Sequence, residues 1–113
     1  MIKIYHNTRC KKSRAGLQYL QKKGIEFEVV EYLKDRFTEE SFKNVLMLLN
    51  KKPFDMIRTQ EDMYKKELKG SNFTDAEWVK IMVKNPRLIQ RPIVVGKLKA
   101  VLAQPPENID ELL

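Results

Sequence analysis

A single cysteine and a single histidine stand in this 113-residue chain, and that scarcity closes off several chemistries at once. One thiol makes no internal disulfide, so this is not a small fold stapled by cystines. Cys10 and His6 are too few for a His/Cys metal centre and show no ligand spacing. The chain's 4 glycines form no phosphate-cradling loop. No serine sits in a hydrolase elbow, and His6 would be the only imidazole base. A Cys-x5-Arg phosphatase loop is missing too, because position 16 is Gly16. No apolar run approaches the ~20 residues of a membrane span. Lys3, His6, Asn7 and Arg9 interrupt any signal-peptide core. With no export signal, the cytoplasm is the expected compartment. Repeats, low-complexity tracts and flexible linkers are absent.

Acid is also missing from the first 25 residues, which carry Lys3, Arg9, Lys11, Lys12, Arg14, Lys22 and Lys23. The acids Glu107, Asp110 and Glu111 instead close the chain. The net charge of +7 is therefore concentrated around Cys10, which favours an anionic substrate or partner through steering. Part of the excess suits a helix C-terminus at Lys22 and Lys23. The other lysines are scattered without aromatic interleaving, so nothing singles out nucleic acid as a partner. With 42% hydrophobic and 33% charged residues, the chain reads as one globular domain over 1–113, large enough for a real core.

The pattern along the chain is strand, helix, strand, then helices, then two strands and a helix. Ile2 and Ile4 alternate in a strand over 2–5. A helix follows over about 12–23, with Leu17, Leu20 and the Tyr19 region inward and Gly24 as its left-handed stop. Residues 26–31 alternate as a second strand, and the helix between the two implies a parallel pair. The segment over about 33–89 is helical. Thr38 caps a helix with Phe42, Val45, Leu46 and Leu49 on one face, and Pro53 breaks it. Thr59 is placed to cap a short helix over 60–68. Thr74 to Glu77 is a capping box for a helix bearing Trp78, Ile81 and Met82, ended by Asn85-Pro86. Met56, Met63 and Met82 read as core fillers. Ile93-Val94-Val95 is a buried strand. Gly96-Lys97 turns it into a partner over 98–102, and a short helix over about 106–112 follows Pro105-Pro106.

Cys10 falls where the first strand hands over to the first helix. A thiol there meets unpaired backbone N–H groups and the positive end of the helix dipole. Both favour thiolate, the nucleophilic form. An inert core cysteine is the alternative, and a basic, polar, Asn-containing loop is a poor place for core. His6, four residues earlier, is positioned to bond or orient the thiolate, or else to be a loop surface residue. Ser13 makes a Cys-x-x-Ser frame, so any redox cycle must borrow an external thiol. Its hydroxyl either donates to the thiolate or caps the helix. Arg91-Pro92 precedes a buried strand. A cis proline opposite such a cysteine would shape the pocket, and Arg91 beside it would aim a planar fork at a tetrahedral oxyanion. Arg58 is a second such arginine, although for Arg58 taken alone a surface ion pair is the simpler reading.

These residues resemble the glutaredoxin-coupled arsenate reductase (ArsC) family. Tyr5-His6-Asn7-x-x-Cys10-x-x-Ser13-Arg14 is similar to its active-site segment, and Leu88-Ile89-Gln90-Arg91-Pro92-Ile93-Val94-Val95 to its second signature. Met56-Ile57-Arg58 and Phe73-Thr74-Asp75 also fit, so the resemblance spans essentially the whole chain. It implies a thioredoxin-like α/β fold with a four-stranded mixed sheet and a helical insertion. It implies no bound cofactor. In the arsenate-reducing members the cysteine attacks the oxyanion, glutathione resolves the adduct, and glutaredoxin completes reduction to arsenite. Carried over, Cys10 is the nucleophile, His6, Ser13 and Arg14 stabilise the thiolate, and Arg58 and Arg91 bind the oxyanion. The chain departs from the pattern at one place. The arginine that precedes the proline of the last segment is here Gln104, which can donate to an oxyanion but brings no charge. Loss of a charged donor costs on the order of 2–3 kcal/mol, about a hundredfold in rate. Lys97 or Lys99 would be the compensating cation. A different reading is a non-catalytic regulator like the Spx proteins, which bind RNA polymerase. Those usually carry Cys-x-x-Cys and lack the His-Asn pair, so Ser13 and His6-Asn7 argue against it.

Overall fold

The computed structural model describes residues 1–113. The chain divides into two compact units, one formed by Met1–Asp35 with Arg91–Leu113 and the other by Arg36–Gln90. The segment expected as a helical insertion over about 33–89 corresponds to the second unit.

In the first unit, strand β1 (Ile2–Tyr5) leads through helix α1 (Lys11–Lys22) to strand β2 (Phe27–Val30). After the second unit the chain returns as β3 (Ile93–Val95), β4 (Ala100–Leu102) and a 3-10 helix over Pro106–Leu112. The four strands form one sheet in the order β2-β1-β3-β4. Strand β1 runs parallel to β2, pairing Ile4 with Val29, and antiparallel to β3, pairing Ile4 with Val94. β3 and β4 are antiparallel, with Val94 opposite Val101. Ile4, Leu20, Val94, Val101, Ala103 and Ile109 make the buried core of this unit, and Leu17, Tyr19 and Ile25 pack against it.

Local chemistry explains the boundaries. Gly24 adopts φ +68, a region where a Cβ is costly. Its N–H bonds Gln21 O and the Ile25 N–H reaches back to Leu20 O, closing the end of α1. β2 is an edge strand; Phe27, in register with Ile2, packs against the core, whereas Val29, in register with Ile4, is 44% exposed. β4 is shorter than the expected span of 98–102. The Gly96 N–H donates to Lys99 O at 2.8 Å, which consumes Leu98 in the turn. Gly16 is the one position where close approach demands glycine. A Cβ there would lie 2.8 Å from Pro92 Cγ, with Ala103 Cβ and Ile4 Cδ1 each at 3.7 Å.

The second unit is built on α2 (Glu39–Leu49) and α3 (Asp75–Lys84). Both begin in capping boxes, Thr38 with Ser41 and Thr74 with Glu77. Phe42, Val45, Leu46 and Leu49 of α2 are buried, as are Trp78, Val79 and Met82 of α3. Met56 is fully buried beside them in kind, whereas Met63 is only partly covered. Pro53 does not end α2. Asn50 ends it first in the left-handed conformation (φ 56), and Pro53 opens a 3-10 turn over Pro53–Met56. Thr59 caps nothing; it lies in a turn, and the stretch expected as a helix over 60–68 becomes a π-helix over Tyr64–Leu68. No apolar period fixes a 3.6-residue pitch there. Trp78 is enclosed by Phe54 and Phe73, with ring centroids 5.4 and 5.0 Å away. No helix is long and apolar enough to cross a membrane.

Candidate active site

The loop after β1 is shaped by Asn7. Its Oδ1 accepts from the Arg9 N–H at 3.0 Å, an Asx turn, and its carbonyl accepts from the Cys10 N–H at 3.0 Å. This leaves Cys10 as the N-cap residue of α1, in extended conformation with φ −93 and ψ 123. The thiol makes no capping hydrogen bond of ordinary geometry, yet it stands where the first amides of α1 are unpaired. Cys10 is partly exposed and the only thiol.

Ser13 and His6 form a buried pair beneath it. Ser13 is fully buried and His6 is 4% exposed. His6 Nδ1 and Ser13 Oγ are 2.6 Å apart, and the same oxygen accepts from the Asn7 N–H at 2.9 Å. The hydroxyl thus joins the end of β1 to the first turn of α1. Burial pushes the His6 pKa below its ordinary value and the Arg14 charge adds to this, outweighing the opposing pull of Glu31 and the Ser13 hydrogen bond. His6 is therefore neutral at pH 7 and gives the sulfur no full positive charge. Arg14 itself is exposed, with Nη1 donating to Thr8 O at 3.2 Å.

Arg91 comes from the C-terminal part of this unit. It precedes Pro92 through a cis peptide. Burial alone would raise the Cys10 pKa. A hydrogen bond from the Arg91 side chain, the Ser13 N–H, the Arg91 charge and the Lys12 N–H overcome it, and the thiol lies below its ordinary value. Its thiolate is accordingly populated more than in an isolated cysteine.

Gln104 sits one residue before a second cis proline, Pro105. Its Nε2 donates to the Arg91 carbonyl, and its Oε1 accepts from Lys12 Nζ at 3.4 Å. One of the two Nε2 hydrogens is thus engaged with the protein's own backbone. Lys99, named as a compensating cation, pairs instead with Glu111 at 2.9 Å. A groove of about 260 Å³ runs beside Gln104, lined by Lys12, Ala15, Ala103, Pro105 and Pro106. Arg58 belongs to the Arg36–Gln90 unit. There its Nη1 pairs with Glu61 Oε2 at 2.5 Å and its side chain is mostly buried.

The structure therefore gathers Cys10, His6, Ser13, Arg14, Arg91, Pro92 and Gln104 within one unit, and Arg58 falls in the other. Sequence reasoning did not find Lys12 as Gln104's partner or Asn108 as its support. Asn108 Nδ2 donates to Leu102 O at 3.0 Å and to Gln104 O at 3.1 Å. Nothing in the sequence ties positions 12, 104 and 108 together. Asn7, by contrast, stands two residues before an amide it can accept from, a spacing that signals an Asx turn.

A β2-β1-β3-β4 sheet with a thiol at the first helix N-terminus, beside the residue before a cis proline, is the thioredoxin-like arrangement. The profile of the ArsC family matches residues 5–112, and the chain belongs to that family. It is 39% identical to the uncharacterized protein YfgD of Escherichia coli K12, over 99% of this chain and 96% of that one. It is 37% identical to an arsenate reductase of Neisseria meningitidis serogroup A, over 99% and 97% of the two chains. Among solved structures, an arsenate reductase from Vibrio cholerae superposes with a TM-score of 0.93 at 36% identity, covering 99% of this chain and 97% of that one.

Proposed function

We propose that this protein is a monothiol oxidoreductase of the arsenate reductase type, with Cys10 as the nucleophile. The observation that carries this is a partly exposed thiol at the N-cap of α1 whose ionised form is favoured by the Arg91 guanidinium and two helix amides. Such a group attacks an electrophilic oxyanion centre, and Arg91 neutralises the charge that gathers on the oxygens. In this reading the Cys10 sulfur bonds to the pentavalent centre and one oxygen departs as water. His6 and Ser13 hold the loop that presents the sulfur. Reduction from arsenate to arsenite takes two electrons, so two thiols end as a disulfide. The chain has one cysteine, and the second thiol is therefore external. Glutathione supplies it, and glutaredoxin then returns Cys10 to the thiol. Carrying two carboxylates against one ammonium, glutathione is anionic and also suits the basic surface around Cys10.

NADPH consumption in the presence of glutathione, glutathione reductase and glutaredoxin tests the proposal. The expected result is an arsenate-dependent rate that Cys10→Ser abolishes. A wild type with no arsenate-dependent rate removes arsenate as substrate. A rate that survives Cys10→Ser removes Cys10 as nucleophile.

A further inference from the structure

We propose that Gln104 is a positioning residue of this site, its single amide tying the backbone of Arg91 on one side and the ammonium of Lys12 on the other. The inference rests on the reading of Cys10 and Arg91 as the reactive pair and adds how that pair is held. Gln104 Nε2 donates to the Arg91 carbonyl, and the next carbonyl, Pro92 O, accepts from the Ala103 N–H at 2.9 Å. Both carbonyls of the Arg91-Pro92 segment are thus pinned to Ala103-Gln104. The pin is itself anchored, because Asn108 Nδ2 holds Gln104 O at 3.1 Å. With its backbone fixed, Arg91 has only side-chain freedom left to lose when it engages the sulfur.

The other half of the amide does different work. Gln104 Oε1 accepts from Lys12 Nζ at 3.4 Å. Lys12 lies in the first turn of α1, two residues after Cys10. A carboxamide can donate to a carbonyl and accept from an ammonium at once. An arginine at this position has no acceptor and would repel Lys12. The glutamine therefore exchanges one fixed guanidinium for a tethered lysine two residues from Cys10, and Lys12 becomes the second cation available to an oxyanion approaching Cys10.

Alkylation of the full chain by iodoacetamide across pH reads the first tether without any arsenate. Gln104→Met keeps the length and removes both bonds. It is expected to slow alkylation at pH 7 by about threefold or more, as the Cys10 pKa rises with a loosened Arg91. In an Arg91→Lys background the same change should add little, since the group it positions is already altered. Gln104→Asn, too short to reach, gives the same direction if the methionine variant does not fold. Lys12→Met should raise KM for arsenate severalfold with little change in kcat. Alkylation of Gln104→Met within twofold of wild type, or a slowing that is equal in the Arg91→Lys background, overturns the positioning role. An unchanged KM in Lys12→Met overturns the second cation. Should wild type lack arsenate turnover, the alkylation result still stands or falls alone.

Discussion

Ser13→Ala tests the buried joint beneath the thiol. Ser13 Oγ is bonded to His6 Nδ1 at 2.6 Å and to the Asn7 N–H at 2.9 Å. Ser13 is fully buried and His6 nearly so, so water cannot easily replace the lost oxygen at the imidazole. Leaving a buried polar group unpaired costs about 1–3 kcal/mol. Asn7 is only half-buried, and its amide belongs at the low end of that range. The two together give about 2–4 kcal/mol. At about 4 °C per kcal/mol for a domain near this size, Tm should fall by about 8–16 °C. Thermal unfolding followed by circular dichroism measures it. The effect should also be coupled to His6: in a His6→Asn background the serine change should cost about 1–2 kcal/mol less. A loss below about 1 kcal/mol, or strict additivity with His6→Asn, would refute the joint as described.

Gly16→Ala gains about 1 kcal/mol of helix propensity, but its Cβ would meet the rigid Pro92 ring at 2.8 Å; overpacking of about 1–3 kcal/mol should win, and urea unfolding should show a less stable protein with a slower-alkylating Cys10. His6 has a folded-state pKa lowered from 6.5, so on acidification the unfolded chain takes the proton first. Its contribution is complete above pH 6.5 and fades as pH falls toward the folded value, at a slope of up to about 1.4 kcal/mol per pH unit; denaturant titrations between about pH 7 and 5 should show this slope shrinking in His6→Asn. Thr74→Ala removes the oxygen that accepts from the Glu77 N–H at 3.2 Å and should cost about 1 kcal/mol of stability, typical of a lost N-cap.

What the sequence disclosed was mostly what neighbours decide. Thr74 and Glu77 lie three apart and close their own box; Gly24 stops α1 because its backbone alone needs φ +68. The apolar stripe of α2 reports its buried face directly. Cys10 was legible because a strand, a basic loop and a helix start are all local signals. What was not legible depends on partners brought together by the sheet. The alternation of Phe27 and Val29 marks the core side of β2, but only the strand order shows that β2 is an edge, which leaves Val29 44% exposed. Ser13 Oγ meets His6 Nδ1, from the end of β1, a pairing no local signal announces. Gln104 looked like a weakened arginine. Its amide bonds the Arg91 carbonyl, a pairing 13 residues apart in sequence that only the fold brings about. Arg58 carries its acid three residues away in Glu61, a spacing legible in the sequence.

The central claim is that a single ionised thiol opens the reaction and an external thiol closes it. Intact-mass analysis of the protein incubated with arsenate and glutathione, with glutaredoxin withheld, tests this most directly. The account predicts a glutathione adduct on Cys10 that accumulates only when arsenate is present and disappears when glutaredoxin is added. A Cys10 that alkylates readily yet forms no arsenate-dependent adduct would contradict it.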